Sequence, residues 1–104
     1  NALRLRTQLA FQEADILTAD GKLTAEAIYN SKIVELSDGG IRNPRIVKEL
    51  TADGSNIKDW GKYTTETITA PNGQRLQIHY YKNSVTHKVD YATVDYKVKG
   101  AVRP

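Results

Sequence analysis

The stretch LQIHYYKN, residues 76–83, sets a lone histidine among tyrosines in a run that reads as a β-strand. An imidazole with a pKa near ~6.5 can take or give a proton at neutral pH, so the side of the strand on which His79 falls matters. Side chains alternate along a strand. Leu76, Ile78 and Tyr80 fall on one face, and Arg75, Gln77, His79 and Tyr81 on the other. A sheet with one solvated side turns its apolar side inward, which leaves His79 on the open side. The same phasing puts Ala92, Val94, Tyr96 and Val98 inward on the next strand, and Tyr91, Thr93, Asp95 and Lys97 outward. On the preceding strand, Ile68 inward implies Tyr63, Thr65 and Thr67 outward. A slip of one residue would reverse any of these assignments.

The open face so assembled holds the parts needed to cleave RNA without a metal. RNA carries its own nucleophile, the 2′-hydroxyl. His79 would remove that proton or protonate the leaving oxygen. Arg75 and Lys97 would neutralise the phosphate as charge builds, and the hydroxyls of Thr65, Tyr81 and Tyr91 would orient its oxygens. Lys62, Lys82 and Lys99 would track the backbone, and the ring of Tyr63 could stack an unpaired base. The competing reading is a strand histidine with no chemical role. His87 falls in an expected loop and reads as a solvated turn residue.

Other chemistries lack their residues. Two histidines, no cysteine and no His-x-x-x-His spacing disfavour a metal site, and no cofactor is called for. There is no G-x-S-x-G elbow for a serine nucleophile, and no Walker or dinucleotide glycine pattern. Without cysteine there are no disulfides, which allows work in a reducing cytosol. No apolar run approaches bilayer-spanning length, and no signal segment is visible. The chain also has no methionine, which implies a piece of a longer polypeptide with Asn1 at a processing boundary.

The chain of 104 residues suits one domain with a modest core. Its charge is uneven. Residues 1–61 carry 8 Lys/Arg against 9 Asp/Glu, while residues 62–104 carry 7 against 3 and hold five of the six tyrosines. A basic segment interleaved with aromatics favours a phosphate-rich ligand. Residues 1–59 read as a helical scaffold. A first helix spans Arg4 to Glu13, with Leu5, Leu9 and Gln12 at helical spacing, and Ala19-Asp20-Gly21-Lys22 is a turn. Thr24 caps a second helix whose face continues through Ala27, Ile28, Lys32 and Leu36 to a stop at Gly39-Gly40. Asn43-Pro44 opens a third helix, broken at Ala52-Asp53-Gly54-Ser55. From residue 60 the period becomes alternating. Strands are expected over Lys62–Thr69, Arg75–Lys82 and Lys88–Lys99, with a turn at Pro71-Asn72-Gly73 and a bend near Ala92-Thr93. Helices followed by an antiparallel meander make an α+β fold.

The run LTADGSNIKDWGKYTT, followed by APNGQRLQIHYYKN and VDYATVDYKVKG, resembles the C-terminal toxin domain of filamentous-haemagglutinin-like contact-dependent growth inhibition proteins, and the resemblance covers nearly the whole chain. Within it, Lys62, Thr64 and Thr65 match a KYTT element, His79 and Tyr81 the histidine strand, and Asp95, Tyr96 and Lys97 the last strand. Thr86-His87 stands where relatives often have Thr-Gly, which leaves His87 outside the pattern. The resemblance implies a ribonuclease toxin with a barnase/EndoU/colicin/RelE-like fold that cleaves tRNA. It implies a secreted or cell-surface exoprotein whose toxin acts in the cytoplasm of a target bacterium. Its implied partners are tRNA, a cognate immunity protein, expected to be acidic, and for some members elongation factor Tu. A non-catalytic protein-binding module and a DNase are the alternatives. A DNase substrate lacks the 2′-hydroxyl and normally calls for a metal cage of carboxylates.

Overall fold

A computed structural model describes residues 2–36, 40–70 and 73–100, with side chains from Leu5 onward. The elements are helix α1 (Ala2–Glu13), helix α2 (Ala25–Asn30), strand β1 (Lys32–Ile33), helix α3 (Pro44–Leu50), a 3-10 turn (Ile57–Asp59), and strands β2 (Trp60–Thr64), β3 (Ile68–Thr69), β4 (Arg75–Asn83) and β5 (Val89–Lys99). The fold class is α+β: helices in the N-terminal part, then an antiparallel sheet. The strands run β1-β2-β4-β3, with β5 also paired to β4. The chain divides into two compact units, one of Asn1–Ser31, Thr65–Ile78 and Tyr96–Pro104, the other of Lys32–Thr64 and His79–Asp95.

In the first unit, α1 ends where Asp15 takes a left-handed conformation (φ 60), which short polar side chains tolerate. The N–H groups of Ile16 and Leu17 then fold back onto the carbonyl of Phe11. Phe11 is fully buried, and its ring packs 5.9 Å from that of Tyr96. Leu5 and Leu9 face solvent, at 60% and 54% exposure, so the helix buries a different side from the one their spacing marks. Residues 19–22 form the expected turn, closed by Thr18 N–H to the Lys22 carbonyl at 2.7 Å. Thr24 caps α2, accepting from the Ala27 N–H at 3.1 Å.

The second helix is shorter than its pattern implies. It stops at Asn30, because Ser31 turns extended and its hydroxyl donates to the Ala27 carbonyl. The next residues, Lys32-Ile33-Val34, include two β-branched side chains that favour strand. They pair with β2 instead, and Val34 N–H donates to the Lys62 carbonyl at 2.8 Å. Lys32 and Leu36 therefore belong to no helical face, and Gly39 of the expected stop lies outside the described residues. So do Pro71 and Asn72 of the expected turn.

In the second unit, Asn43 accepts from Arg45 N–H and Pro44 takes the first helical position of α3, as the Asn-Pro pair implies. Leu50, Trp60 and Tyr80 are buried. The Trp60 indole donates to Ser55 Oγ at 2.8 Å. The side-chain Oδ1 of buried Asn83 accepts from Val85 and Thr86 N–H and so shapes the β4–β5 turn. An ion pair of 3.2 Å joins Lys88 in that turn to Asp53 after α3.

Candidate active site

Strand β4 shows the alternation read from its sequence. Leu76, Ile78 and Tyr80 are buried, Gln77, His79 and Tyr81 are half-buried, and Arg75 is exposed. His79 thus lies off the face that carries Ile78 and Tyr80, although its Nδ1 is shielded from solvent.

The partner strand does not follow its expected phase. Thr65 is 2% exposed, not outward. Its hydroxyl accepts from Ile78 N–H at 3.0 Å and contacts the Glu66 carbonyl at 3.2 Å as donor. A β-bulge is the cause. Thr65 N–H bonds to the Ile78 carbonyl, while Ile68 pairs with Leu76. The segment from Thr65 to Ile68 advances three residues while β4 advances two. One residue is left over, and the inward phase of Ile68 passes to Thr65 rather than Thr64. Phasing the strand from Ile68 through an unbroken alternation therefore reverses every residue before the bulge.

The register of the second unit gives the corrected set. Trp60 lies opposite Asn83, Gly61 opposite Lys82, Lys62 opposite Tyr81, Tyr63 opposite Tyr80, and Thr64 opposite His79. Residues directly opposite on antiparallel strands point the same way. One face of this ribbon carries Lys62, Tyr81, Thr64 and His79, all half-buried, and is closed at its end by buried Trp60 and Asn83. The other face carries Tyr63 and Lys82, which were expected to bind RNA beside His79. There the Tyr63 and Tyr80 rings stack with centroids 5.8 Å apart, and Lys82 Nζ sits 4.5 Å from the Tyr63 centroid. Gly61 makes room for this ring: a Cβ there would come within 3.2 Å of it.

Tyr81 has its phenol pKa raised, first by burial and then by the negative charge of Asp95 on β5. It stays protonated at neutral pH and can donate a hydrogen bond. Tyr91 is half-buried in the same unit. Between it and Asp95, within the continuous strand β5, the Asp90 carboxylate accepts from the Thr93 N–H at 3.1 Å and hydroxyl at 2.7 Å. The other expected site residues belong to the first unit. Arg75 is exposed opposite Thr69, Lys97 is half-buried and Lys99 exposed. His87 is exposed with a left-handed backbone (φ 65), its N–H bonded to the Asn83 carbonyl, which makes it a turn residue.

Two hollows lie elsewhere. One of about 110 Å³ is lined by Asp15, Glu26 and Glu66 among others, a setting that repels phosphate. Another of about 380 Å³ lies beside Arg45, Glu49 and Thr93. Neither includes His79, which is half-buried on β4. Among the described residues no group of three or more His, Cys, Asp or Glu could hold a metal ion, and no helix is long and apolar enough to cross a membrane. What sequence phasing missed is Thr64 in the place given to Thr65; the two adjacent threonines differ in no local signal, and only the bulge separates them. Compared with family models, curated proteins and solved structures, the chain matches none.

Proposed function

We propose that the protein is a metal-independent endoribonuclease of the toxin class its sequence resembles, with tRNA as its substrate. The observation that carries this reading is the single half-exposed face on which His79 and the Lys62–Tyr81 pair lie side by side. The 2′-oxygen of the RNA attacks the adjacent phosphorus as its proton leaves, the bond from phosphorus to the 5′-oxygen breaks, and that oxygen takes up a proton. The products are a 2′,3′-cyclic phosphate and a 5′-hydroxyl. His79 takes the first proton or gives the second. Lys62 offsets charge on the phosphoryl oxygens, and the Tyr81 phenol donates to one of them. Arg75, Lys97 and Lys99, the other cations expected from the sequence, belong to the first unit.

The same reading brings a barnase/EndoU/colicin/RelE-like fold, a parent exoprotein at the producer's surface, and action in the cytoplasm of a target bacterium. Its partners would be tRNA, a cognate acidic immunity protein, and elongation factor Tu if the protein follows those members that use it. Charge complementarity with an acidic inhibitor would speed association and fade with salt.

Incubation of the protein with total RNA and with duplex DNA, both in excess chelator, tests the proposal. Discrete RNA fragments with intact DNA are expected. Intact RNA would favour a protein-binding module, and metal-restored DNA cleavage would favour a DNase.

A further inference from the structure

We infer that Thr64 is a catalytic residue of the proposed reaction, donating its hydroxyl to a non-bridging oxygen of the scissile phosphate between Lys62 and His79. This rests on the ribonuclease reading for its substrate, but on register and hydrogen bonding for its geometry.

Val34 N–H donates to the Lys62 carbonyl, so the backbone of Lys62 bonds outward to the β1 side. In an antiparallel sheet, successive residues bond to opposite neighbours. Lys62 and Thr64 therefore bond toward β1, and toward β4 the pairs Lys62–Tyr81 and Thr64–His79 are of the non-hydrogen-bonded type. That type brings side chains closest, with Cβ atoms roughly 4.5–5.5 Å apart. Along each strand, residues two apart are roughly 6.5–7 Å from one another on the same face. Four groups thus frame a patch the size of one phosphate: an ammonium, an aliphatic hydroxyl, a phenol and an imidazole. Each can donate to an anion. Asp95 acts on the set through Tyr81, the corner farthest along the strands from Thr64.

Thr65 cannot fill this role. Its hydroxyl is engaged by Ile78 N–H and the Glu66 carbonyl in a 2% exposed position. The bulge after it is what places Thr64, half-buried, on the face of His79.

The test uses Thr64→Val, which keeps the shape and removes the donor, and Thr64→Ser, which restores it. Thermal unfolding should show both variants folded at the assay temperature. Cleavage of tRNA by Thr64→Val should fall about 10²–10³-fold in kcat with KM little changed, the pattern of a donor aimed at developing charge. Thr64→Ser should recover most of the rate, which a merely structural loss would not predict. An independent arm titrates the wild-type protein with inorganic phosphate by NMR. Resonances of Lys62, Thr64 and His79 should move together, and Thr64→Val should weaken that response. A folded Thr64→Val enzyme with wild-type kcat, or phosphate shifts that miss these residues, would overturn the inference. Wild-type protein that leaves RNA intact while phosphate still moves the three resonances would sink the ribonuclease reading and keep the anion site.

Discussion

Strand β4 and the β2–β3 segment run side by side, yet one was legible from sequence and the other was not. Along β4 the apolar positions 76, 78 and 80 are all buried and the intervening ones are not. Nothing interrupts that strand, so its period of two survives from Arg75 to Tyr81. The β2–β3 segment has no such run of apolar residues to announce its phase. Its Thr- and Tyr-rich sequence suits either side of a sheet, and the extra residue between Thr65 and Ile68 reverses the count. A phase can be carried along a strand only as far as its hydrogen-bond ladder is unbroken.

The sharpest way to break the comparison is at the proposed catalytic side chain of β4. His79→Ala should fold normally and lose about 10²–10⁴-fold in RNA cleavage rate, the scale for one general acid–base group. Its neighbour in sequence should behave oppositely. Ile78→Ala should cost about 2–5 kcal/mol in denaturant unfolding, the cavity cost of a fully buried aliphatic residue,. A stable Ile78→Ala and an unstable, active His79→Ala would invert the phase of β4.

On the other strand the contrast lies between two threonines. Thr65→Val should lower stability by about 1–3 kcal/mol, because Ile78 N–H loses its buried acceptor,. Equal stability of Thr65→Val and wild type would remove the bulge from the account.

The same division applies to the rest of the molecule. Local chemistry gave clear signals where a residue acts on its immediate neighbours: Thr24 and Asn43 cap helices, and residues 19–22 turn. Signals failed where a distant strand decided the outcome. Residues 31–36 carry a weak helical stripe, but pairing with β2 claims Lys32 and Ile33. In α1 the spacing of Leu5 and Leu9 marks a helix and points to the wrong side of it, because Phe11 is the residue that fills the core. Of the expected site, His79, Lys62 and Tyr81 share a face, whereas Tyr63 and Lys82 were separated from them by the same one-residue slip or by their own parity.

The smallest expected effect concerns the loop after α3. Hydrogen bonds from Ser55, and then from Lys88, lower the Asp53 pKa to about 2. A carboxylate with a lowered folded-state pKa adds stability above its unfolded value and loses it as pH falls through the folded one. Wild type should therefore lose a little stability as pH falls from the ordinary aspartate value of 3.8 to about 2. Asp53→Asn should flatten melting temperature against pH in that window, by a small amount because the group is exposed. An unchanged slope would show that the Ser55 and Lys88 contacts carry no linkage.

The central claim is that the His79 face cleaves RNA through the 2′-hydroxyl. Its most direct test is the chemistry of the ends formed when purified tRNA is incubated in excess chelator with wild type and with folded His79→Ala. Wild type should give 2′,3′-cyclic phosphate and 5′-hydroxyl ends, and the variant none above background. Intact tRNA with wild type, or equal cleavage by both proteins, would contradict it.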